Sequence, residues 1–94
     1  QKEKEFIISR QLLRSGTSIG ANVEEALAGQ NKKDFTAKMS ISSKEARETK
    51  YWLRLLKQSE LTSIDVNSLI LDNDELIRIL TSIVKTSQQN LTNN

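Results

Sequence analysis

Residues 66–84, VNSLILDNDELIRILTSIV, carry apolar side chains at intervals of three and four. Because an α-helix advances about 100° per residue, this spacing gathers them on one stripe of a helix. One polar residue, Asn73, lies in the stripe, and its amide must be satisfied inside the protein or by water. Leu71 and Ile79 lie outside it, where two exposed apolar residues would suit a subunit contact. The stripe consists of Val66, Leu69, Ile70, Leu76, Ile77, Leu80, Ile83 and Val84.

The same periodicity extends outward from this stripe and predicts three helices, at about residues 4–28, 32–59 and 63–87. Gly29 ends the first helix, because glycine is the usual residue just past a helix end. Thr62 or Ser63 can cap the third helix, and Asp65 favours its positive amino end. The polar tail, residues 88–94, is expected to fray. Short turns between long helices force antiparallel neighbours, so we predict an all-α, up-and-down bundle.

Two glycines of the first helix and one carboxylate of the second lie on faces where they predict contacts with other parts of the protein. Gly16 and Gly20 lie on the apolar side of the first helix, which indicates close approach of another backbone or, alternatively, a kink near Gly16. Glu45 falls inside the apolar arc of the second helix, whose face is semi-polar. Its carboxylate must find a cation or reach out to water, since burial of an unpaired charge is costly. Candidate cations are Lys38, Arg10 and Arg14.

The composition restricts the function. A chain of 94 residues holds one domain, and its 36% hydrophobic content is ordinary for a globular protein. It has no histidine, cysteine or proline. The commonest general base, the thiolate nucleophile and most metal-ligand sets are therefore missing, so we expect no catalytic site, no metal and no cofactor. No signal peptide or membrane span is evident, and we expect a cytoplasmic protein with no membrane partner.

Charge is unevenly distributed along the chain. Residues 1–31 carry four basic and four acidic side chains, residues 32–57 carry eight and three, and residues 58–94 carry two and five, giving sums of 0, +5 and −3. One side of the second helix is strongly basic. Such a row of cations can follow a phosphate backbone, and Tyr51 among them can stack on a base. Alternatively, these cations form a solvated face or dock on an acidic partner. We call the six candidate nucleic-acid-binding residues the basic face: Lys33, Lys44, Arg47, Lys50, Arg54 and Lys57.

Three stretches carry a family resemblance. Residues 11–26, QLLRSGTSIGANVEEA, closely resemble the bacterial four-helix-bundle family of 23S rRNA-intervening-sequence proteins. Residues 32–35, KKDF, and 44–53, KEARETKYWL, resemble that family's second signature, in the right order and at the right separation. The family is related to the accessory protein of diversity-generating retroelements, a basic pentameric barrel thought to engage nucleic acid and reverse transcriptase.

The resemblance implies a left-handed four-helix bundle that assembles as a homopentamer. It also implies a longer helix upstream of Gln11, so we expect three of four helices here, with the first family helix truncated or missing. Arg14, Glu45, Glu48 and Trp52 match positions that hold helices or subunits together, and the pattern adds Asn73 to these structural polar residues. The basic face remains the candidate binding surface.

The sequence leaves two candidate functions open. The first is a non-catalytic oligomeric module that binds structured RNA or DNA through the basic face. The second is a protein-interaction scaffold with no nucleic-acid role, whose basic face meets an acidic protein or the acidic third helix of another copy. An enzyme is disfavoured by the missing catalytic residue types.

Overall fold

A computed structural model describes residues 2–60 and 62–93, and every regular element in them is helical. α1 spans Lys2–Ala28, α2 spans Lys32–Ser59 and α3 spans Val66–Thr92. The all-α prediction is therefore confirmed. The four-helix bundle is not confirmed, because the described residues form three helices.

The ends of α3 differ from the prediction. Its N-cap is Asp65, whose side chain accepts a hydrogen bond from the Ser68 N–H at 3.3 Å, so Thr62 and Ser63 lie before the helix. Aspartate is as strong an N-cap as serine, and it lies next to the apolar Val66 that opens the stripe. α3 also continues past the predicted end at residue 87 to Thr92, since exposed glutamines are good helix formers. Asn94, in the predicted frayed tail, lies outside the described residues.

α2 lies between α1 and α3 and runs antiparallel to both. Contacts with α1 pair Lys38 with Glu25 and Thr49 with Ser15, so residue numbers rise on one helix as they fall on the other. α1 and α3 have no Cα atoms within 8 Å of each other in the described residues. The molecule is consequently an elongated layer with Cα extents of 52 × 20 × 14 Å.

Two apolar clusters hold the helices together. The larger joins all three helices, and the smaller lies at the end where α1 begins. Small residues of α2 let its neighbours approach, and Ala46 is completely buried. The larger cluster consists of Ile19, Ala26, Met39, Ala46 and Leu80, and the smaller of Ile8, Leu53, Leu56 and Val66.

The side of the layer between α1 and α3 is open. A groove of about 650 Å³ lies at the end of this side where α1 connects to α2, with Leu27 of α1, Phe35 of α2 and Ile83 of α3 among its lining residues. α1 is continuous through Gly16 and Gly20, so the helix does not break at Gly16. A Cβ atom built on either glycine would meet nothing within 4 Å in the described residues. The close backbone approach predicted at these glycines is therefore not made within the described part of this chain.

Candidate nucleic-acid interface

The basic face divides into two groups in the structure. Lys33 and Lys44 are exposed on α2 and line neither of the two grooves between α2 and α3 that are described below. The other four cations lie along the edge of α2 that packs beside α3, because their wheel positions border the apolar arc. These four are Arg47, Lys50, Arg54 and Lys57.

The first groove between α2 and α3, which we call the arginine groove, has a volume of about 450 Å³. From α2 it receives Arg47, Lys50 and Arg54, and from α3 it receives Asp74, Ile77 and Arg78. Lys50 and Asp74 form an ion pair across the two helices, with Nζ and Oδ1 2.7 Å apart. Both side chains are only about 30% exposed, which limits solvent screening of the pair.

The remaining polar contacts of the arginine groove are weaker. Arg47 Nη2 donates to the Thr81 hydroxyl at 3.0 Å, which engages one of the five guanidinium N–H donors. Arg78 lies 4.0 Å from Glu75 on the same helix, and both side chains are about 70% exposed, so that pair contributes little. Guanidinium groups are therefore available along both walls of the groove.

A second groove, of about 660 Å³, continues toward the end of α2. Arg54 and Lys57 line it from α2, with the exposed Leu71 on the α3 side. Tyr51 is 58% exposed on α2, with its ring edge-on to Trp52 at 5.0 Å. An exposed aromatic ring next to a cationic edge is the arrangement that a stacked base requires.

Apart from Asn73, the structural polar residues lie on α1 and on the flank of α2 that faces it. Arg14 Nη1 lies 3.3 Å from Glu45 Oε2, and Arg14 Nη2 pairs with Glu48. Glu48 also accepts a hydrogen bond from Trp52 Nε1 at 3.1 Å. Of the three predicted cations, Arg14 is the partner of Glu45, whereas Lys38 pairs with Glu25 at 3.4 Å. One arginine thus joins α1 to two carboxylates of α2.

Buried polar groups of α2 are satisfied by both neighbours. The Ser42 hydroxyl donates to the Ile19 carbonyl at 2.9 Å, and Thr49 donates to Ser15 at 2.8 Å. On the other flank the Asn73 amide donates to the Ala46 carbonyl at 2.9 Å, which is the internal partner that its place in the apolar stripe required. No buried side-chain nitrogen or oxygen in residues 2–60 and 62–93 lacks a partner.

Residues 2–60 and 62–93 offer neither a cluster of metal ligands nor a membrane-spanning helix. No group of three or more metal-ligating side chains there could hold a metal ion. No described helix is both long and apolar enough to cross a membrane.

The sequence pattern did not identify Asp74 and Arg78, which line the arginine groove from α3, or Thr81, which accepts the hydrogen bond from Arg47. The net charge of −3 predicted for residues 58–94 does not reveal that one of its two cations, Arg78, borders α2. The signal that could have found Arg78 is the antiparallel pairing of wheel positions, since Arg78 lies on the flank of α3 that borders α2.

This all-helical chain is similar to known proteins in sequence and in structure. The family model described as "23S rRNA-intervening sequence protein" matches residues 1–82. The chain belongs to this family. A solved structure from Bacteroides thetaiotaomicron, a protein of unknown function from the S23 ribosomal protein family, is similar at 48% sequence identity and a TM-score of 0.80. The alignment covers 90% of this chain and 77% of that one. No curated protein matches the chain.

Proposed function

We propose that this intervening-sequence protein is a non-catalytic, oligomeric helical-bundle protein of the cytoplasm that binds structured RNA or DNA through the basic face. The observation that carries the proposal is the lack of internal neutralisation. Within the described residues, Lys50 is the one member of the basic face with a carboxylate within 4 Å. The other five cations are available for phosphate groups, each of which releases counterions when it is neutralised.

A salt titration of binding tests the proposal. Fluorescence anisotropy of a labelled RNA hairpin and of a DNA duplex is followed between low and physiological salt. We expect binding at low salt whose logarithmic slope is about 0.7 to 0.9 per phosphate contacted. The double variant Arg47→Ala/Arg54→Ala should lower both the affinity and the slope. The matched control Lys2→Ala/Arg10→Ala removes two exposed cations from α1 and should change the affinity less. No binding at low salt contradicts the proposal.

The proposed assembly is a homopentamer of four-helix subunits, as the family resemblance implies. Support comes from the open groove between α1 and α3 and from the exposed Leu13 and Leu27 on α1. A fourth helix in this position would cover the apolar groove and the face that carries Gly16 and Gly20. Five copies would also present five basic faces on one ring, so that weak sites add up to tight binding. The native mass of the purified assembly, measured with its 260/280 nm absorbance ratio, tests ring formation and bound nucleic acid together.

A protein-interaction scaffold is the second candidate function. It is favoured by α3, where Ile79 is 50% exposed beside Asp72 and Glu75, and where Leu71, at the border of the second groove, is 68% exposed. An acidic and apolar surface of this kind can dock on a basic one. Recovery of one defined protein partner after nuclease treatment, without nucleic acid, supports this candidate over the first.

A further inference from the structure

The arginine groove differs from the rest of the basic face because two helices build it. Its lining contains four cations, Arg47, Lys50, Arg54 and Arg78, and one carboxylate, Asp74, which leaves a net charge of +3. Among the described residues, Lys33 and Lys44 line neither the arginine groove nor the second groove. Cations on two facing walls can hold a phosphate from both sides, whereas a single row contacts it from one side only.

The two walls also differ from each other in chemistry. Arg47 and Arg54 are seven residues apart on α2, or about 10.5 Å along the helix axis. Arg78 enters the groove from α3, one helical turn after Asp74. Asp74 already supplies an anion to Lys50 at 2.7 Å, so a carboxylate occupies part of the cationic surface in the free protein.

We propose that the arginine groove is the principal phosphate-binding site for the nucleic-acid backbone, with Arg78 of α3 completing the set formed by Arg47 and Arg54. Asp74 is the internal competitor that neutralises Lys50. This inference rests on the proposed nucleic-acid function and narrows it, because Lys33 and Lys44 then contribute only long-range attraction. The phosphodiester can belong to RNA or DNA, since guanidinium groups recognise the phosphate in both.

The chemistry of the three arginines supports this assignment. A guanidinium group is planar and matches two phosphate oxygens with parallel N–H donors, which an ammonium group cannot do. Arg54 has no carboxylate within 4 Å in the described residues, and the exposed 4.0 Å pair of Arg78 with Glu75 is readily exchanged for a phosphate. Ile77 adds an apolar side chain to the same lining.

The decisive experiment measures anisotropy with labelled single-stranded RNA, single-stranded DNA of the same sequence, and the corresponding duplexes. Arg78→Ala should weaken binding about tenfold at low salt and lower the salt slope by about 1. Arg78→Lys keeps the charge and loses the paired donors, so it should recover only part of that loss. Asp74→Asn should raise the affinity severalfold, because Lys50 is released. Arg10→Ala, an exposed arginine on α1, is the matched control and should leave binding unchanged.

The outcomes separate this inference from the function on which it rests. Failure of the unmodified protein to bind any oligonucleotide at low salt overturns both. Binding that survives Arg78→Ala but is lost in Lys33→Ala/Lys44→Ala overturns the arginine groove and leaves the proposed function standing. Arg78-dependent capture of polyglutamate without oligonucleotide binding assigns the groove to acidic proteins and overturns the inference. The ratio of RNA to DNA affinity identifies the source of the phosphate. Far-UV circular dichroism of each variant verifies folding.

Discussion

The two flanks of α2 use their charges differently. On the flank against α1, Arg14 lies between Glu45 and Glu48, and Lys38 pairs with Glu25. On the flank against α3, Lys50 and Asp74 form the one ion pair across helices in the described residues. Neutralised charges stabilise the packing of helices, whereas unpaired cations repel one another and reduce stability. The α1 flank therefore has the character of a structural interface, and the α3 flank that of a binding surface.

The uncharged contacts do not show this contrast. Each flank has a buried side chain that donates to a backbone carbonyl, Ser42 to Ile19 and Asn73 to Ala46. Both carbonyls lie inside helices, where the backbone ladder already uses them as acceptors. A second, side-chain donor at such a carbonyl specifies how the two helices align along their axes. The flanks are thus held in register by equivalent means and differ in their surface charge.

The largest expected effect is on the free energy of unfolding, when one of the two buried hydrogen bonds that align the helices is removed. Asn73→Ala should lower the free energy of unfolding by about 2 kcal/mol, because it removes a buried hydrogen bond and leaves a cavity. Ser42→Ala should cost about 1 kcal/mol, since serine leaves almost no cavity. Urea unfolding at one fixed protein concentration, followed by far-UV circular dichroism, gives both values.

Asn73→Leu is the matched variant for this comparison. It keeps the branched shape of the side chain, replaces the amide with two methyl groups and loses the hydrogen bond, so it fills the cavity and should be more stable than Asn73→Ala. If the alanine and leucine variants are equally destabilised, the loss does not come from the cavity and the argument from packing is wrong.

A smaller effect tests the charge contrast itself. Arg14→Ala should destabilise the protein by about 1 kcal/mol, because it leaves Glu45 and Glu48 without their cation on a partly exposed surface. The same variant should bind oligonucleotide as the unmodified protein does, since Arg14 lies on the flank away from the arginine groove. Arg54→Ala should show the reverse pattern, with weaker binding and a smaller loss of stability, because Arg54 has no carboxylate within 4 Å in the described residues. Equal effects of the two variants on binding would contradict the division between the flanks.

Much of the fold could be predicted from the sequence, because the periods of the apolar residues depend only on helix geometry. The same reasoning indicated that the Asn73 amide would need a partner inside the protein or a water molecule, and the Ala46 carbonyl is that partner. The basic character of α2 was likewise visible from composition. These features follow from single helices and need no knowledge of their neighbours.

The division of the basic face could not be predicted in this way. Lys50 and Lys57 border the apolar arc of α2, so their surroundings depend on where α3 lies and on its axial alignment. The role of Arg78 depends on that same alignment, which periodicity does not determine. For Gly16 and Gly20, in contrast, the sequence pattern predicted a contact that was not found. It predicted the close approach of another backbone, which no described part of this chain supplies.

The smallest expected effect is on stability and concerns the two connections between helices, which differ in backbone conformation. The connection between α1 and α2 contains Gly29. The connection between α2 and α3 begins at Glu60, the C-cap of α2, which has a left-handed φ of 56°. Its N–H still caps α2 by donating to the Lys57 carbonyl at 3.3 Å. Because glycine adopts this conformation without a Cβ clash, Glu60→Gly should stabilise the protein by about 0.5–1 kcal/mol in urea unfolding. Glu60→Gln removes the charge alone and should change stability less. A stabilised glutamine variant would show that charge repulsion, not backbone conformation, limits this turn.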